Sequence, residues 1–355
     1  MKILINRTDA IGDCLLSTPL ARLLKDKIKD ESVEITFLVS PRSGDLIGLC
    51  EGIDKVVIYD PKWSWFKRLH FLGELFKKER YDVFFHLGGA LLPLYQAWKA
   101  RIRIRAGLQS KWATFLFLNK GQRQSRRLVT MHESDYNMDL AQALGIHRHG
   151  ERLEAHGPKL NVSKDEGLKA RREEGIEDHK KLVIVHPGMS GHTLNWASRN
   201  YGRLIERLYE DDREAYRFIV SYTPSDGPYL EGLKDYISSS EDLQREVLFF
   251  DGSKKGLIHF THLLTGADLF IGPSTGTTHM ANALGVAQVG IYSPIKVQSS
   301  HRWGPYRRDK KAQVVVPDVV CGESTQCAGA ICPYYECMAK IEVEDIFKAA
   351  KRALK

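Results

Sequence analysis

The chain has 355 residues, 43% hydrophobic and 27% charged, which leaves core enough for two ordinary domains and excludes a disordered or collagen-like chain. No apolar run is long enough to cross a bilayer, so a bundle of membrane-spanning helices is excluded as well. The formal charge of +8 suits an anionic partner, but no nucleic-acid-binding motif accompanies it, and nucleic acid is not expected among the partners.

In chain order, residues 2–6 read as a central parallel strand of a cytosolic protein, because the opening apolar stretch is too short for a secretory signal. A polar loop follows, Arg7-Thr8-Asp9-Ala10-Ile11-Gly12-Asp13, and leads into a helix ending near residue 28. Strands are expected at 33–39, 56–59 and 83–87, with a helix from Trp65 to Lys78. The alternation predicts an open, mostly parallel sheet with helices on both faces. Right-handed crossovers then put the 7–13 loop at the carboxyl edge, where such sheets bind ligands. Next comes a basic stretch, with Arg101, Arg103, Arg105, Lys111, Lys120, Arg123, Arg126 and Arg127 interleaved with Trp98, Trp112, Phe115 and Phe117. It reads either as a solvated face or as a surface for an anionic partner, an acidic membrane or a phosphorylated substrate.

Composition shifts between about Arg148 and Lys181, which marks an interdomain passage containing a helix over 168–174. A second α/β pattern follows, with strands at 182–186, 218–221, 247–250, 269–271 and 288–292. Helices fit at about 200–210, 228–238, 258–266, 277–284 and 342–354. The fold class is therefore α/β, with two doubly wound domains, 1–165 and 166–355, facing across a cleft. The last helix is a candidate to pack back on the first domain.

Three stretches carry candidate chemistry. Gly272-Pro273-Ser274-Thr275-Gly276-Thr277-Thr278-His279 runs from a buried strand through a turn of small residues into a helix. That succession gathers unpaired backbone N–H groups and a helix dipole at one point, a natural seat for a phosphate; a plain crossover turn has the same spacing. His186-Pro187-Gly188-Met189-Ser190-Gly191-His192 leaves a strand in the same way, and the two loops could contact one diphosphate. Trp196 and Tyr201 read as packing residues. Asp13, at the first strand-to-helix transition, either complements the helix dipole or acts as a base, and the dipole favours its ionised form. Asp9 in the same loop reads as a turn former. Neither glycine loop has the G-x-G-x-x-G spacing of dinucleotide oxidoreductases. Cys321, Cys327, Cys332 and Cys337 form a C-x5-C-x4-C-x4-C run that departs from zinc-ligand spacing and reads as free thiols in a reducing compartment, with metal binding as the alternative. Cys14 and Cys50 read as small buried apolar residues.

Taken as an ordered set, the Asp9–Asp13 loop, His186-Pro187-Gly188 with Asn195-Trp196, Gly272–His279 running into Ala281 and Gly285, and the late Cys337-Met338 with Ile341 resemble glycosyltransferase family 9, the heptosyltransferases of lipopolysaccharide assembly. The resemblance implies a GT-B fold of two Rossmann-like domains, the acceptor on the N-terminal half and the nucleotide sugar on the C-terminal half. It also implies inverting transfer of heptose from ADP-heptose to a lipid A–Kdo core without an obligatory metal or other cofactor, with Asp13 as general base. The matching donor positions are Ser274, Thr275, Gly276, Thr277, Thr278, His279, Pro187 and Gly188. Glu231, or failing it Asp226, is a candidate for the ribose hydroxyls. Gly12, Arg101, Arg103, Arg105, Lys111 and Arg123 are the expected acceptor contacts, on a surface that docks transiently at the inner membrane. Leu194 departs from the pattern, since many relatives carry a cation there; Arg199 is a possible substitute. The departure leaves room for another nucleotide-sugar donor, or for a protein that binds such a donor without transferring it.

Overall fold

A computed structural model describes residues 1–29, 32–148, 154–189, 191, 193–321 and 325–355. It divides into two compact units, one of residues 1–126 and 131–160, the other of residues 127–130 and 161–355. The main division thus falls at 160/161, against the 165/166 drawn from composition.

The first unit holds a six-stranded sheet: β1 Lys2–Arg7, β2 Glu34–Val39, β3 Lys55–Ile58, β4 Val83–Gly88, β5 Ile104–Leu108 and β6 Lys120–Gln122. All neighbours are parallel and the spatial order is β3-β2-β1-β4-β5-β6, the doubly wound Rossmann order. β1 and β4 are central, and their apolar side chains, Ile3, Leu4, Ile5, Phe84 and Phe85, are fully buried because helices cover both sheet faces. Helices Trp65–Glu79 and Leu92–Lys99 pack Leu72, Phe76, Leu94 and Ala97 onto Leu4 and Phe84. β5 and β6 were not expected, because arginines interrupt the first and the second is only Lys-Gly-Gln.

The second unit repeats the plan with β7 Lys181–Val185, β8 Tyr216–Tyr222, β9 Val247–Asp251, β10 Leu269–Pro273, β11 Gln288–Ile291 and β12 Ala312–Val315. Their order, β12-β11-β10-β7-β8-β9, is again parallel and again the Rossmann order. Trp196 and Tyr201 are buried in its core with ring centroids 5.1 Å apart, and the Trp196 indole donates to the Ile341 carbonyl at 2.9 Å. The last helix, Val343–Ala353, packs within the second unit. Its Ile346, Phe347, Ala350 and Ala353 belong to this same core, since its apolar stripe fits the faces of β11, β12 and helix Ser198–Asp211.

Candidate functional site

In each unit the strand order reverses between the two central strands, and sheets of this kind bind ligands at the carboxyl ends of those strands. In the first unit that point lies between β1 and β4. Arg7 ends β1 with its guanidinium buried. It donates to the Asp9 carboxylate at 2.7 Å, to the Leu87 carbonyl at 2.6 Å and to Asp13 at 2.5 Å. Asp13 stands in the one-turn helix Ile11–Leu15, a tighter arrangement than the loop expected, with Gly12 buried beside it. Its side chain stays 26% exposed while that of Arg7 is 6% exposed, so one carboxylate oxygen is clamped and the group still reaches solvent. Burial pushes the Asp13 carboxyl above its ordinary range, Arg7 pulls it back, and the charges of Asp9 and Glu133 add to the rise. Burial also works against charge on Arg7, but Asp13 and Asp9 outweigh it, and the guanidinium stays ionised. Asp9 is therefore more than a turn former: it shares the cation that holds Asp13.

The β4 side of this switch point is fixed by neutral groups. Burial lowers the His86 pKa to about 4, and the amide of Asn6 donates to its Nδ1 at 2.9 Å, which fixes the ring in one neutral tautomer. Thr8 Oγ1 accepts from the Ala90 N–H at 2.8 Å. Gly89 has φ +78°, and a Cβ there would lie 2.2 Å from Thr8 Oγ1. Gly89→Ala should consequently lose about 1–3 kcal/mol in urea denaturation by prising the two strand ends apart.

The basic stretch is divided by the fold. Lys111 caps helix Trp112–Phe117 just past β5, and Arg123 follows β6 with its guanidinium 5.2 Å from the Phe115 ring centroid. Both lie at the carboxyl edge with Asp13. Arg105 does not serve as an acceptor contact: its guanidinium donates to the carbonyls of Phe117 and Ile102 and fastens the β5 crossover. Arg101 and Arg103 precede β5 and sit at the amino edge, a strand length of roughly 20 Å from the Asp13 edge. These three leave the expected acceptor set.

In the second unit the corresponding point lies between β7 and β10. The His186 N–H donates to the Ile271 carbonyl at 2.9 Å, and a Cβ on Gly272 would come within 2.9 Å of the His186 carbonyl oxygen. The loops that follow these two strands therefore start side by side. Pro187 accepts the Asn195 amide at 2.8 Å. Gly188 is required by its neighbour, since a Cβ would sit 2.3 Å from the Asp226 carboxyl carbon. Asp226 is buried and caps its own turn by accepting the Thr223 N–H and hydroxyl, both at 2.8 Å. It is thereby withdrawn from ribose recognition, whereas Glu231 opens helix Glu231–Ser238 with an exposed side chain. Ser190 and His192 lie outside the described residues.

Helix Gly276–Leu284 begins directly after β10. Thr275 is its N-cap, and no side chain caps it. Thr275 and Thr277 exchange a 2.8 Å hydroxyl hydrogen bond, while the Thr278 hydroxyl turns back to the Pro273 carbonyl. Ser274, Thr275, Gly276 and Thr277 are half-buried, and the first-turn N–H groups have no intrahelical partner. His279 is buried beneath the turn, and burial lowers its pKa to about 4, so it supplies packing and no charge near neutral pH. Leu194 packs against the second core, and Arg199 lies 5.7 Å from the Tyr236 ring centroid, committed to the outer helices. A cation the sequence reading did not single out is Lys296. It opens the turn Lys296–Gln298 past β11, and Gln298 accepts the Thr193 hydroxyl at 2.8 Å, which ties that turn to the 193–196 stretch. Only tertiary structure brings the two segments together.

In the Cys run, Cys337 is buried, Cys321 and Cys332 are half-buried and Cys327 is exposed. Backbone N–H groups of Gly329 and Tyr334 donate to the Cys327 and Cys332 sulfurs at 3.4 Å each. Among the described residues, no three His, Cys, Asp or Glu side chains converge closely enough to hold a metal ion.

Two parallel sheets of Rossmann order make a GT-B fold. The sequence pattern of glycosyltransferase family 9 (heptosyltransferase) matches residues 69–323, and the chain belongs to that family. It is 28% identical over 86% of both chains to a Haemophilus influenzae protein provisionally described as a glycosyltransferase. It is 23% identical to the lipopolysaccharide core heptosyltransferase OpsX of the same organism, over 81% of this chain and 78% of that one. Among solved structures, E. coli ADP-heptose LPS heptosyltransferase II superposes with a TM-score of 0.78 at 17% identity, covering 100% of this chain and 98% of that one.

Proposed function

We propose that the chain transfers heptose from ADP-heptose to a lipopolysaccharide inner-core acceptor with inversion at the anomeric carbon, and that Asp13 is the general base. The observation that carries this reading is the Asp13 carboxylate, buried enough to be basic, clamped by Arg7, and still open to solvent at a switch point. On this reading Asp13 takes the proton of an acceptor hydroxyl as that oxygen attacks the anomeric carbon. The bond to the diphosphate breaks on the opposite face, and ADP departs with the bonding electrons. The first turn of helix Gly276–Leu284 receives the growing negative charge through its N–H groups and dipole. The names of heptosyltransferase II and OpsX support the choice of donor and acceptor.

Lys296 takes the part of the missing cation at 194. Lys296→Gln should weaken ADP binding about tenfold in calorimetry, the size of one lost charge-assisted hydrogen bond, with little change in thermal stability. The absence of a cation at 194 also favours a second reading, in which the donor carries another nucleotide. Titration with ADP, UDP, GDP and CMP separates the two: preference for ADP supports the first, and preference for UDP transfers the assignment to the second.

The acceptor of such a reaction is an anionic glycolipid in a membrane. No helix among the described residues is long and apolar enough to cross one, and we assign the contact to a peripheral surface of the first unit. Trp65, Phe66, Trp112, Phe115 and Leu116 are exposed there, with Lys67, Lys111 and Arg123 among them.

A further inference from the structure

The amino edge of the first sheet carries a concentration of positive charge that the transfer reaction does not use. Helix Trp65–Glu79 ends there with Lys77 and its cap Arg80; helix Leu92–Lys99 ends there with Lys99, followed by Arg101 and Arg103. These five cations and His70 line a pocket of about 740 Å³ floored by the buried side chains of Phe76 and Ile102. The walls are tied together, since the Gln96 amide donates to the Leu69 carbonyl at 3.3 Å and the Ile102 N–H to the Ala97 carbonyl at 3.1 Å. Among the described residues none of the five cations pairs with a carboxylate. The single acid in the lining, Asp82, accepts the backbone N–H of Lys2 at 2.7 Å.

The backbone adds an independent observation. Arg80 and Arg101 both adopt left-handed conformations, φ +51° and +55°, at helix ends where glycine is conformationally easiest. Two arginines facing one pocket from such positions are explained by their charge and not by local geometry. Guanidinium and ammonium groups crowded in this way, without counter-charge, are built for a phosphate. The source of that phosphate is indicated by the rim. Trp98 is 44% exposed beside Lys99, and its ring lies 5.9 Å from Tyr95 and 5.3 Å from Phe117 between centroids. Amphipathic aromatics of this kind settle at the headgroup level of a bilayer. The chain of rings continues from Phe117 to the exposed Trp112, 6.5 Å away between centroids.

We propose that this pocket binds the phosphate of an anionic phospholipid headgroup and anchors the enzyme to the bilayer, apart from the acceptor sugar site at the opposite sheet edge. The proposal rests on the peripheral-membrane part of the function above, and the following experiment separates the two. The full chain is sedimented with phosphatidylcholine vesicles with and without phosphatidylglycerol, as wild type, as Lys99→Glu/Arg101→Glu, as Arg101→Gly, and as a control, Lys164→Glu/Lys348→Glu, that reverses two exposed charges elsewhere. Arg101→Gly suits the left-handed backbone while removing the charged side chain, which guards against a misfolded double variant. Wild type and control should bind when phosphatidylglycerol is present. Binding should fall roughly tenfold or more in the double variant and by a smaller factor in Arg101→Gly. Transfer to a soluble acceptor fragment should be unchanged in all four proteins. Equal binding by the pocket variants and wild type overturns the pocket and leaves the membrane contact standing. No binding by wild type overturns both. Calorimetric binding of inorganic phosphate that Arg101→Gly abolishes, without any vesicle binding, reassigns the pocket to a soluble anion and overturns the lipid assignment.

Discussion

Asp13→Asn should lower kcat by about 10²- to 10⁴-fold and leave the affinity for ADP unchanged. Asparagine has the volume of aspartate, and its amide oxygen can still accept the Arg7 hydrogen bond, so the one-turn helix Ile11–Leu15 keeps its geometry. What it cannot do is take a proton from a sugar hydroxyl. Because Asp13 lies in the first unit and the proposed diphosphate turn lies in the second, donor binding and base catalysis should be separable by mutation. Calorimetry with ADP and a coupled assay for ADP release measure the two separately. If Asp13→Asn turned over at the wild-type rate, Asp13 would lose its role.

The second large effect belongs to Arg7→Met. Arg7 is buried and bonded to two carboxylates, Asp9 and Asp13, with the charge of Glu133 also felt there. Methionine fills much of the volume and removes the charge, and because Asp9 and Asp13 keep contact with solvent the loss should be about 1–3 kcal/mol. The catalytic consequence has a definite sign. A general base works deprotonated, so kcat/KM rises with pH through its pKa. Burial already holds that pKa above the ordinary carboxylate value, and Arg7 is the group that lowers it. Without Arg7 the acid limb should move to higher pH. Stability follows the same linkage: a carboxyl whose folded pKa is raised contributes most below its unfolded value and loses that contribution as pH rises through the folded one. The deficit of Arg7→Met should therefore be larger at neutral than at acid pH, which urea titrations at the two pH values would show.

Much of this architecture was legible in the chain. β1, β4, β7 and β10 are nearly uninterrupted apolar runs because both of their faces are covered, and such runs bounded by glycine loops can be read directly. β5, β6 and β12 could not be read so, because edge and near-edge strands carry polar residues that hide their periodicity. At the site, Asp13 and the Thr275–His279 turn were visible because each stands at a strand-to-helix junction, a local feature. Arg7 was passed over as the first residue of a polar loop, since its burial and its two carboxylate partners depend on β4 packing beside it. The charge-rich 98–127 stretch was read as one surface for a related reason. A count of cations along the chain does not show that β5 carries Lys111 to one sheet edge while Arg101 and Arg103 stay at the other. Lys296, 102 residues from Leu194 in the numbering, is joined to that region through Thr193 and Gln298.

The central claim is acceptor-dependent, inverting heptosyl transfer from ADP-heptose. Incubating the purified chain with ADP-heptose and a lipid A–Kdo acceptor, and reading the anomeric configuration of the product by NMR, tests it most directly. ADP should be released only when acceptor is present, with a product whose anomeric configuration is opposite to that of the donor. Retention of configuration, or turnover of a uridine-linked sugar with none of ADP-heptose, would contradict it.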